Sequence, residues 1–371
     1  MDKKKKKKQN LSGMIMGGVF GALVGFIMVK YIGGSGEDDK KTKLITIGVI
    51  LVSVFASYFL GLIIHEGGHL LMGLLTGYRF VSFRIGSIVI IRKNGKFKIG
   101  KYSIPGTAGQ CLMTHDIVDE PEKVPYFWYH AGGGLFNILT AMICGSVLLI
   151  VSSKYAAHFF GILAAVSLFM AFSNLIPMQV GGVPNDGANI LAQYRSAEER
   201  KYLLNTLIIN GETYQGKTLD EMPDKLFEGA DPAGEIGKVQ LAMVEASRYC
   251  ERFDFTAASK IYESVLSNEK IPSLFINECK CELMFCYIMT GESDSKIDEL
   301  YDNDLKKYIH ITEKFMITRP RLMYAYYYIY KKDNAQADKY YNLIQSMAKD
   351  YICEGECRQE LKVTAYIKEK Y

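Results

Sequence analysis

Four apolar runs, each long enough to cross a lipid bilayer as a helix, dominate the first half of the chain. They occupy residues 11–32, 44–75, 126–151 and 156–176. About 20 apolar residues cross the hydrocarbon core as a helix, and lipid offers no partner for unpaired backbone groups. The runs therefore predict an α-helical polytopic membrane protein with four spans. We expect a bacterial cell membrane, with both termini in the cytosol because lysines fill positions 3–8.

Composition separates this membrane half from a charged remainder. We predict a tail, first span and loop at residues 1–43, a membrane core at 44–191 and a cytosolic α-helical domain at 192–371. The net charge is only +4, so the composition gives no basis for a nucleic-acid partner. The 8 cysteines form no repeated Cys-x-x-Cys pairs, which favours free thiols in a reducing compartment over disulfides or a cluster.

The second apolar run contains ionisable residues in the order His65-Glu66-Gly67-Gly68-His69. Two histidines four positions apart lie on one helix face, so both imidazoles can reach one metal ion. Glu66 points off that axis and can contact a water molecule without ligating the metal. The alternative is a histidine pair satisfied by polar neighbours within a bundle, with glycines that serve close helix packing.

The segment between the second and third runs, residues 77–124, is rich in β-branched and aromatic residues. Lys93-Asn94-Gly95-Lys96 is typical of a hairpin turn, and the residues after it alternate apolar and polar as in a half-exposed strand. We therefore predict a β-rich insert whose free edge could receive an extended peptide. A plain cytosolic loop with a hairpin is the alternative.

Two polar positions occur at or beyond the later runs. Asn137 lies within the third run, where lipid would not tolerate an amide without a partner. The fourth run ends in Asn174-Leu175-Ile176-Pro177 and leads to Asp186, through prolines and glycines that predict a broken helix. Asp186 is therefore a candidate third metal ligand, with an ordinary turn aspartate as the alternative.

Together, these motifs resemble the site-2 protease family of intramembrane zinc metalloproteases over about residues 44–190. The pentapeptide from His65 to His69 matches the family's His-Glu-x-x-His helix. The stretch ending at Asn137 resembles Gly-Pro-x-x-Asn, with Gly134 where proline usually stands. The segment from Asn174 to Asp186 resembles the Asn-x-x-Pro…Asp-Gly ending, with a longer spacing than the family's usual form.

The resemblance implies a Zn²⁺ ion held by His65, His69 and Asp186, with Glu66 as the general base. Asn137 would donate a hydrogen bond to the substrate or the developing oxyanion, and Asn174 is a weaker candidate for that role. The expected substrate is a transmembrane protein or a peptide precursor whose unwound segment adds as a strand to the insert. Membrane lipid is the other partner of this half.

The soluble half shows a degenerate internal similarity that resembles tetratricopeptide-type repeats. Ala246, Tyr249, Ala258, Tyr262 and Val265 recur as Ala325, Tyr328, Ala337, Tyr341 and Ile344. Such repeats would bind a cytosolic protein partner or the substrate's cytosolic portion, whereas a plain helical bundle would not require one. The alternative for the whole chain is a membrane-anchored helical-repeat adaptor with a non-catalytic metal site. An ion-binding transporter would be expected to show inverted repeats, which we do not find.

Overall fold

The computed structural model describes residues 40–93, 95–101, 107–180, 183–269, 271 and 273–371, with isolated positions at 18, 21, 22 and 25. Apart from those four positions, the predicted first span at residues 11–32 lies outside the described residues. The chain is mostly helical and divides into two compact units. Unit 1 comprises the described residues within Met1–Gly86, Gly106–Cys111 and Val124–Ser196, and unit 2 comprises those within Ser87–Pro105, Leu112–Lys123 and Ala197–Tyr371.

The described elements follow one another along the chain. They are α1 (Lys40–Leu75), β1 (Arg79–Ile85), β2 (Ile88–Lys93), β3 (Lys96–Lys101), β4 (Gly109–Thr114), a 3₁₀ turn (Pro121–Lys123), α2 (Phe127–Leu148), α3 (Lys154–Leu175), β5 (Gln179–Val180), β6 (Val183–Pro184), α4 (Asp186–Arg195), α5 (Ala197–Tyr214), a second 3₁₀ turn (Asp224–Leu226), α6 (Ile236–Glu251), α7 (Phe255–Ser267), α8 (Ser273–Thr290), α9 (Asp294–Leu300), α10 (Asn303–Thr312), α11 (Thr318–Ala325), a π-helical turn (Tyr326–Tyr330), α12 (Asn334–Ala348) and α13 (Glu354–Lys370).

Three of the described helices are long and apolar enough to cross a membrane. They are α1, the helical segment Pro121–Leu148 that includes α2, and α3. Large apolar side chains on these helices remain exposed, among them Val52 and Phe55 on α1 and Met142 on α2. Such exposed apolar faces are consistent with association with a membrane, where lipid would cover them.

The three helices of unit 1 pack against one another through a small apolar core and a close backbone crossing. Ile50 and Leu62 of α1 meet Ile162 and Val166 of α3 in that core. At the α1–α2 crossing, a Cβ atom on Gly68 would run into the carbonyl group of Gly132, and the reverse also holds. Because only glycine fits on both sides, α2 can lie directly against the face of α1 that carries the two histidines.

Unit 2 begins with the hairpin of β2 and β3. The two strands pair antiparallel, with Ile88 opposite Lys101 and Lys93 opposite Lys96, around a turn that contains Gly95 at φ +77°. One face of the hairpin buries Val89 and Ile91 against Ile352. The hairpin therefore belongs to the same packed unit as the C-terminal helices, although more than 250 residues of sequence separate the contacting side chains.

Small side chains lie where the C-terminal helices pair. Ala246 on α6 and Ala258 on α7 are fully buried, and so are Ala325 and Ala337 on the pair formed by α11 and α12. Small residues let the helix axes approach closely, which explains why alanine recurs at these positions. The similarity to tetratricopeptide repeats remains a prediction. The eight cysteines all fall within the described residues and are buried free thiols.

Candidate metal centre

The two histidines of α1 form one side of a triangle of candidate ligand atoms. The helix places them one turn apart on the same face, and their Nε2 atoms lie 3.2 Å from each other. Asp186, the first residue of α4, brings its Oδ2 atom to 3.3 Å from the Nε2 atoms of both His65 and His69. The sequence-predicted ligands are therefore brought together, and they form a group that could hold a metal ion.

Asn185 explains how Asp186 reaches the histidines from beyond the broken helix. Its Oδ1 atom accepts hydrogen bonds from the backbone N–H groups of Ala188 (2.9 Å) and Met178 (3.1 Å). Its Nδ2 group donates to the carbonyl oxygens of Ser173 (2.8 Å) and Ile176 (2.7 Å). One side chain thus caps the beginning of α4 and fastens it to the end of α3, which fixes the residue that follows.

The contact of His69 Nδ1, the ring nitrogen that points away from the triangle, shows which of the two ring nitrogens can bind a metal ion. Its Nδ1 atom lies 2.8 Å from the carbonyl oxygen of Tyr129, and a carbonyl can only accept a hydrogen bond. The neutral ring therefore carries its proton on Nδ1 and directs the Nε2 lone pair at the other two donor atoms. Three electron-rich atoms that converge in this way are stabilised by a cation between them.

Charge at the centre is fixed by Asp186, which lies outside the candidate membrane spans. Burial alone would raise the pKa of this carboxyl group, but the charges and hydrogen bonds of His69 and His65 hold the pKa below its usual range. The carboxylate is therefore an anion at neutral pH. Its Oδ2 atom is buried and faces the Nε2 atoms of both histidines at 3.3 Å, as expected of an oxygen available to a metal ion.

Glu66 is buried beside the triangle without being one of its three members. The backbone N–H of Cys111 donates a hydrogen bond to its carboxylate. The backbone also passes close at Gly109, where a Cβ atom would lie only 2.7 Å from Glu66 Oε1. The start of β4 therefore orients the carboxylate, and sequence reasoning missed this contact because a backbone N–H leaves no trace in residue identity.

The strand that orients Glu66 is itself held by a buried arginine on β1. Arg84 is only 1% exposed, and it donates hydrogen bonds to the carbonyl oxygens of Gly86 (2.7 Å), Thr107 (3.3 Å) and Gly109 (3.4 Å). It also bonds the Thr107 hydroxyl group. An arginine buried in a strand satisfies several carbonyl groups at once, which rigidifies the approach to Glu66.

The face of α2 that opposes the histidines carries Gly133 and, one turn later, Asn137. A Cβ atom on Gly133 would lie 2.5 Å from His69 Nε2 and 2.7 Å from His65 Nε2, so only glycine leaves room for the triangle. Asn137 is fully buried, with its Nδ2 atom 3.3 Å from His65 Nδ1. The structure thus brings Asn137 to the outer nitrogen of His65, opposite the nitrogen that faces Asp186.

Asn174 and His130 make polar contacts away from the three candidate ligands. The amide of Asn174 donates to the carbonyl oxygen of Met170 (2.8 Å) within its own helix, and among the described residues no hydrogen bond joins it to the histidines. His130, which the sequence analysis did not single out, has its Nε2 atom 2.8 Å from Nε2 of Gln193 on α4. This contact attaches α2 to the helix that carries Asp186, in addition to the attachment of that helix to α3.

Comparisons with known proteins add no assignment. No family model, no curated protein and no solved structure matches the chain significantly. The site is therefore interpreted from its own geometry.

Proposed function

We propose that this chain is an intramembrane zinc metalloprotease of the site-2 type. It would hydrolyse a peptide bond in or near a transmembrane segment of a membrane protein or a peptide precursor. The observation that carries this proposal is the triangle formed by Nε2 of His65, Nε2 of His69 and Oδ2 of Asp186, the three atoms that could donate electron pairs to a metal ion. The edges of this donor triangle measure 3.2, 3.3 and 3.3 Å. Nitrogen and oxygen ligands at zinc distances of about 2.0–2.1 Å in a tetrahedron lie about 3.3–3.4 Å apart. His65, His69 and Asp186 would thus hold a zinc ion and would leave a ligand position open for a water molecule.

The catalytic roles follow from what each side chain can do at this place. Zinc, when bound, lowers the pKa of a water ligand toward 7 and polarises the scissile carbonyl group. Glu66, oriented by the Cys111 N–H, would take the proton of the attacking water and later deliver it to the leaving amine. Asn137 is the better candidate to donate to the oxyanion, because the amide of Asn174 is already bonded within its own helix.

The environment of the site supports a membrane-embedded substrate. His65 and His69 lie on a helix that is long and apolar enough to cross a bilayer, so a water-soluble polypeptide would not readily reach them. We propose four spans in all, with both termini in the cytosol and an unwound substrate segment that pairs with the β-rich insert. The C-terminal helices would bind a cytosolic partner or the substrate's cytosolic portion.

The test begins with metal analysis and cleavage by purified protein. Detergent-purified protein should contain about one zinc ion per chain, and Asp186→Ala should lower that content. Membranes that carry the wild-type chain should accumulate new protein termini within transmembrane segments, and a chelator should prevent them reversibly. Glu66→Gln should keep zinc and generate no such termini, and the trapped substrate should co-purify with it. Cleavage by Glu66→Gln protein would remove Glu66 as the base, and unchanged zinc content in Asp186→Ala would remove Asp186 from the ligand set.

The adaptor alternative makes the opposite prediction in the same experiment. A membrane-anchored adaptor would bring partners to the C-terminal helices in both wild-type and Glu66→Gln protein, and no chelator-sensitive termini would appear. Zinc bound without any cleavage would favour this alternative and a structural metal site.

A further inference from the structure

Asn137 has a buried polar contact that its observed orientation leaves half satisfied. The side chain is fully buried on α2, and its Nδ2 atom lies 3.3 Å from Nδ1 of His65. Its Oδ1 atom is buried without any hydrogen-bond partner among the described residues. A buried carbonyl oxygen without a donor costs free energy, so a rotated orientation of this amide that pairs its oxygen would be more favourable.

The chemistry of His65 decides which amide atom should face it. The Nε2 atom of His65 belongs to the donor triangle, so a neutral ring that binds metal through Nε2 carries its proton on Nδ1. Nδ1–H is a donor, and an amide NH₂ group cannot accept from it. A half-turn of the Asn137 amide about its Cβ–Cγ bond replaces two facing donors with an N–H···O hydrogen bond.

We propose that Asn137 is a positioning residue, whose side-chain oxygen accepts the Nδ1 proton of His65 and holds that ring for metal binding. This inference rests on the proposed zinc site. His69 is already held in the same way, because its Nδ1 atom lies 2.8 Å from the carbonyl oxygen of Tyr129. Each histidine then has its outer nitrogen bonded to an oxygen of α2, one from the main chain and one from a side chain.

The same half-turn gives the amide NH₂ group a separate role. It occupies the place of the present Oδ1 atom, where no described protein group bonds to it. Two unpaired donors in a buried site are available to a carbonyl oxygen of the substrate. The acceptor and the donors of Asn137 therefore serve different steps and can be separated by substitution.

Zinc affinity, measured by competition with a chromophoric chelator in detergent, tests the positioning role without any cleavage assay. Asn137→Leu removes the acceptor while it keeps the branching of the side chain, and it should weaken zinc binding about 10- to 100-fold. Asn137→Asp keeps an acceptor for the Nδ1 proton and should retain zinc affinity within about threefold, while it loses cleavage because it has no N–H to donate. Thr140→Val is the matched control, since the hydroxyl group of Thr140 donates to the carbonyl oxygen of Phe136 on the same helix, and the variant should leave zinc affinity unchanged.

A second measurement distinguishes the possible outcomes. The absorption spectrum of Co²⁺-loaded protein, which reports ligand geometry, should change in Asn137→Leu and not in Asn137→Asp or Thr140→Val. Wild-type affinity in Asn137→Leu, or equal losses in Asn137→Leu and Asn137→Asp, would overturn the positioning role. Wild-type protein that binds zinc with these variant effects but cuts nothing would sink the proposed protease function and leave the positioning role intact.

Discussion

Asn185 and Ser173 are joined by a 2.8 Å hydrogen bond that ties the beginning of α4 to the end of α3. The residue after Asn185 is Asp186, whose carboxylate completes the donor triangle. The candidate third ligand therefore depends on a neighbour whose own hydrogen bonds go to the end of α3 and the beginning of α4. This arrangement also accommodates the long spacing between Pro177 and Asp186, because the β5–β6 hairpin returns the chain to the same helix end.

Replacing Asn185 should weaken the metal site from outside it. Asn185→Ala loses the helix cap, at a cost of about 1 kcal/mol, and also loses both bonds to α3. We expect zinc affinity to fall about 10-fold or more, as for other residues that orient ligands. Asn185→Asp separates the two effects, because it keeps the acceptor for Ala188 N–H and loses the donors to Ser173 and Ile176. Wild-type zinc affinity in both variants would show that Asp186 is held by other contacts.

Gly133 offers a steric test of the triangle with an internal control. Gly133→Ala would place a methyl group 2.5 Å from His69 Nε2, so the variant should lose most of its zinc even though alanine favours a helix. Gly145 lies on the same helix, and a Cβ atom added there would meet no described neighbour within 4 Å outside its own helical turn. Gly145→Ala should therefore bind zinc normally and be as stable as wild type, or up to about 1 kcal/mol more stable. Zinc content and thermal unfolding of both purified variants provide the comparison, and equal zinc content would contradict the close approach of α2.

The pair His65 and His69 could be predicted from the sequence because helix geometry is local, and a spacing of four residues fixes a shared face. Asp186 could be proposed only from its motif, because its position depends on the turn chemistry of Asn185. The contacts of Tyr129 and Cys111 could not be predicted, since they use backbone atoms that any residue would supply.

Unit 2 illustrates a second limit of sequence reasoning. Arg319 and Arg321 are of a residue type that is rarely buried, yet both are almost completely buried. They are paired with carboxylates from other helices, including Glu282 and Glu360. A charge pattern gives no sign of such pairing, because each partner lies about 40 positions away.

This buried ion network predicts a large effect of removing one member. Arg321 donates to Glu360 (2.7 Å) and Glu282 (2.6 Å), and its guanidinium lies 3.8 Å from the centroid of the Phe285 ring. Arg321→Met leaves two carboxylates poorly compensated and should lower the free energy of unfolding by about 3–5 kcal/mol. Chemical unfolding followed by tyrosine fluorescence measures the loss.

The control for the network is an ion pair of the same kind at the surface. Arg358 pairs with Glu221 at 2.7 Å, and both side chains are about half exposed. Arg358→Met should therefore cost at most about 1 kcal/mol. Similar losses for the two methionine variants would mean that burial does not set the strength of the network.

Glu356 makes the stability of unit 2 depend on pH. The pKa of this carboxyl group is raised to about 7, chiefly by burial and also by the charges of Glu360 and Glu278, while Tyr351 and Arg319 act in the opposite direction. The folded state therefore favours the neutral form. This stabilisation is fully present below the unfolded-state pKa, near 4.5, and is lost as the pH rises through about 7. The expected loss between pH 5 and pH 8 is on the order of 3 kcal/mol.

Glu356→Gln cannot ionise, so its thermal unfolding temperature should fall less than that of wild type over the same range. Parallel curves for the two proteins from pH 5 to pH 8 would show that Glu356 ionises as freely in the folded chain as in the unfolded one.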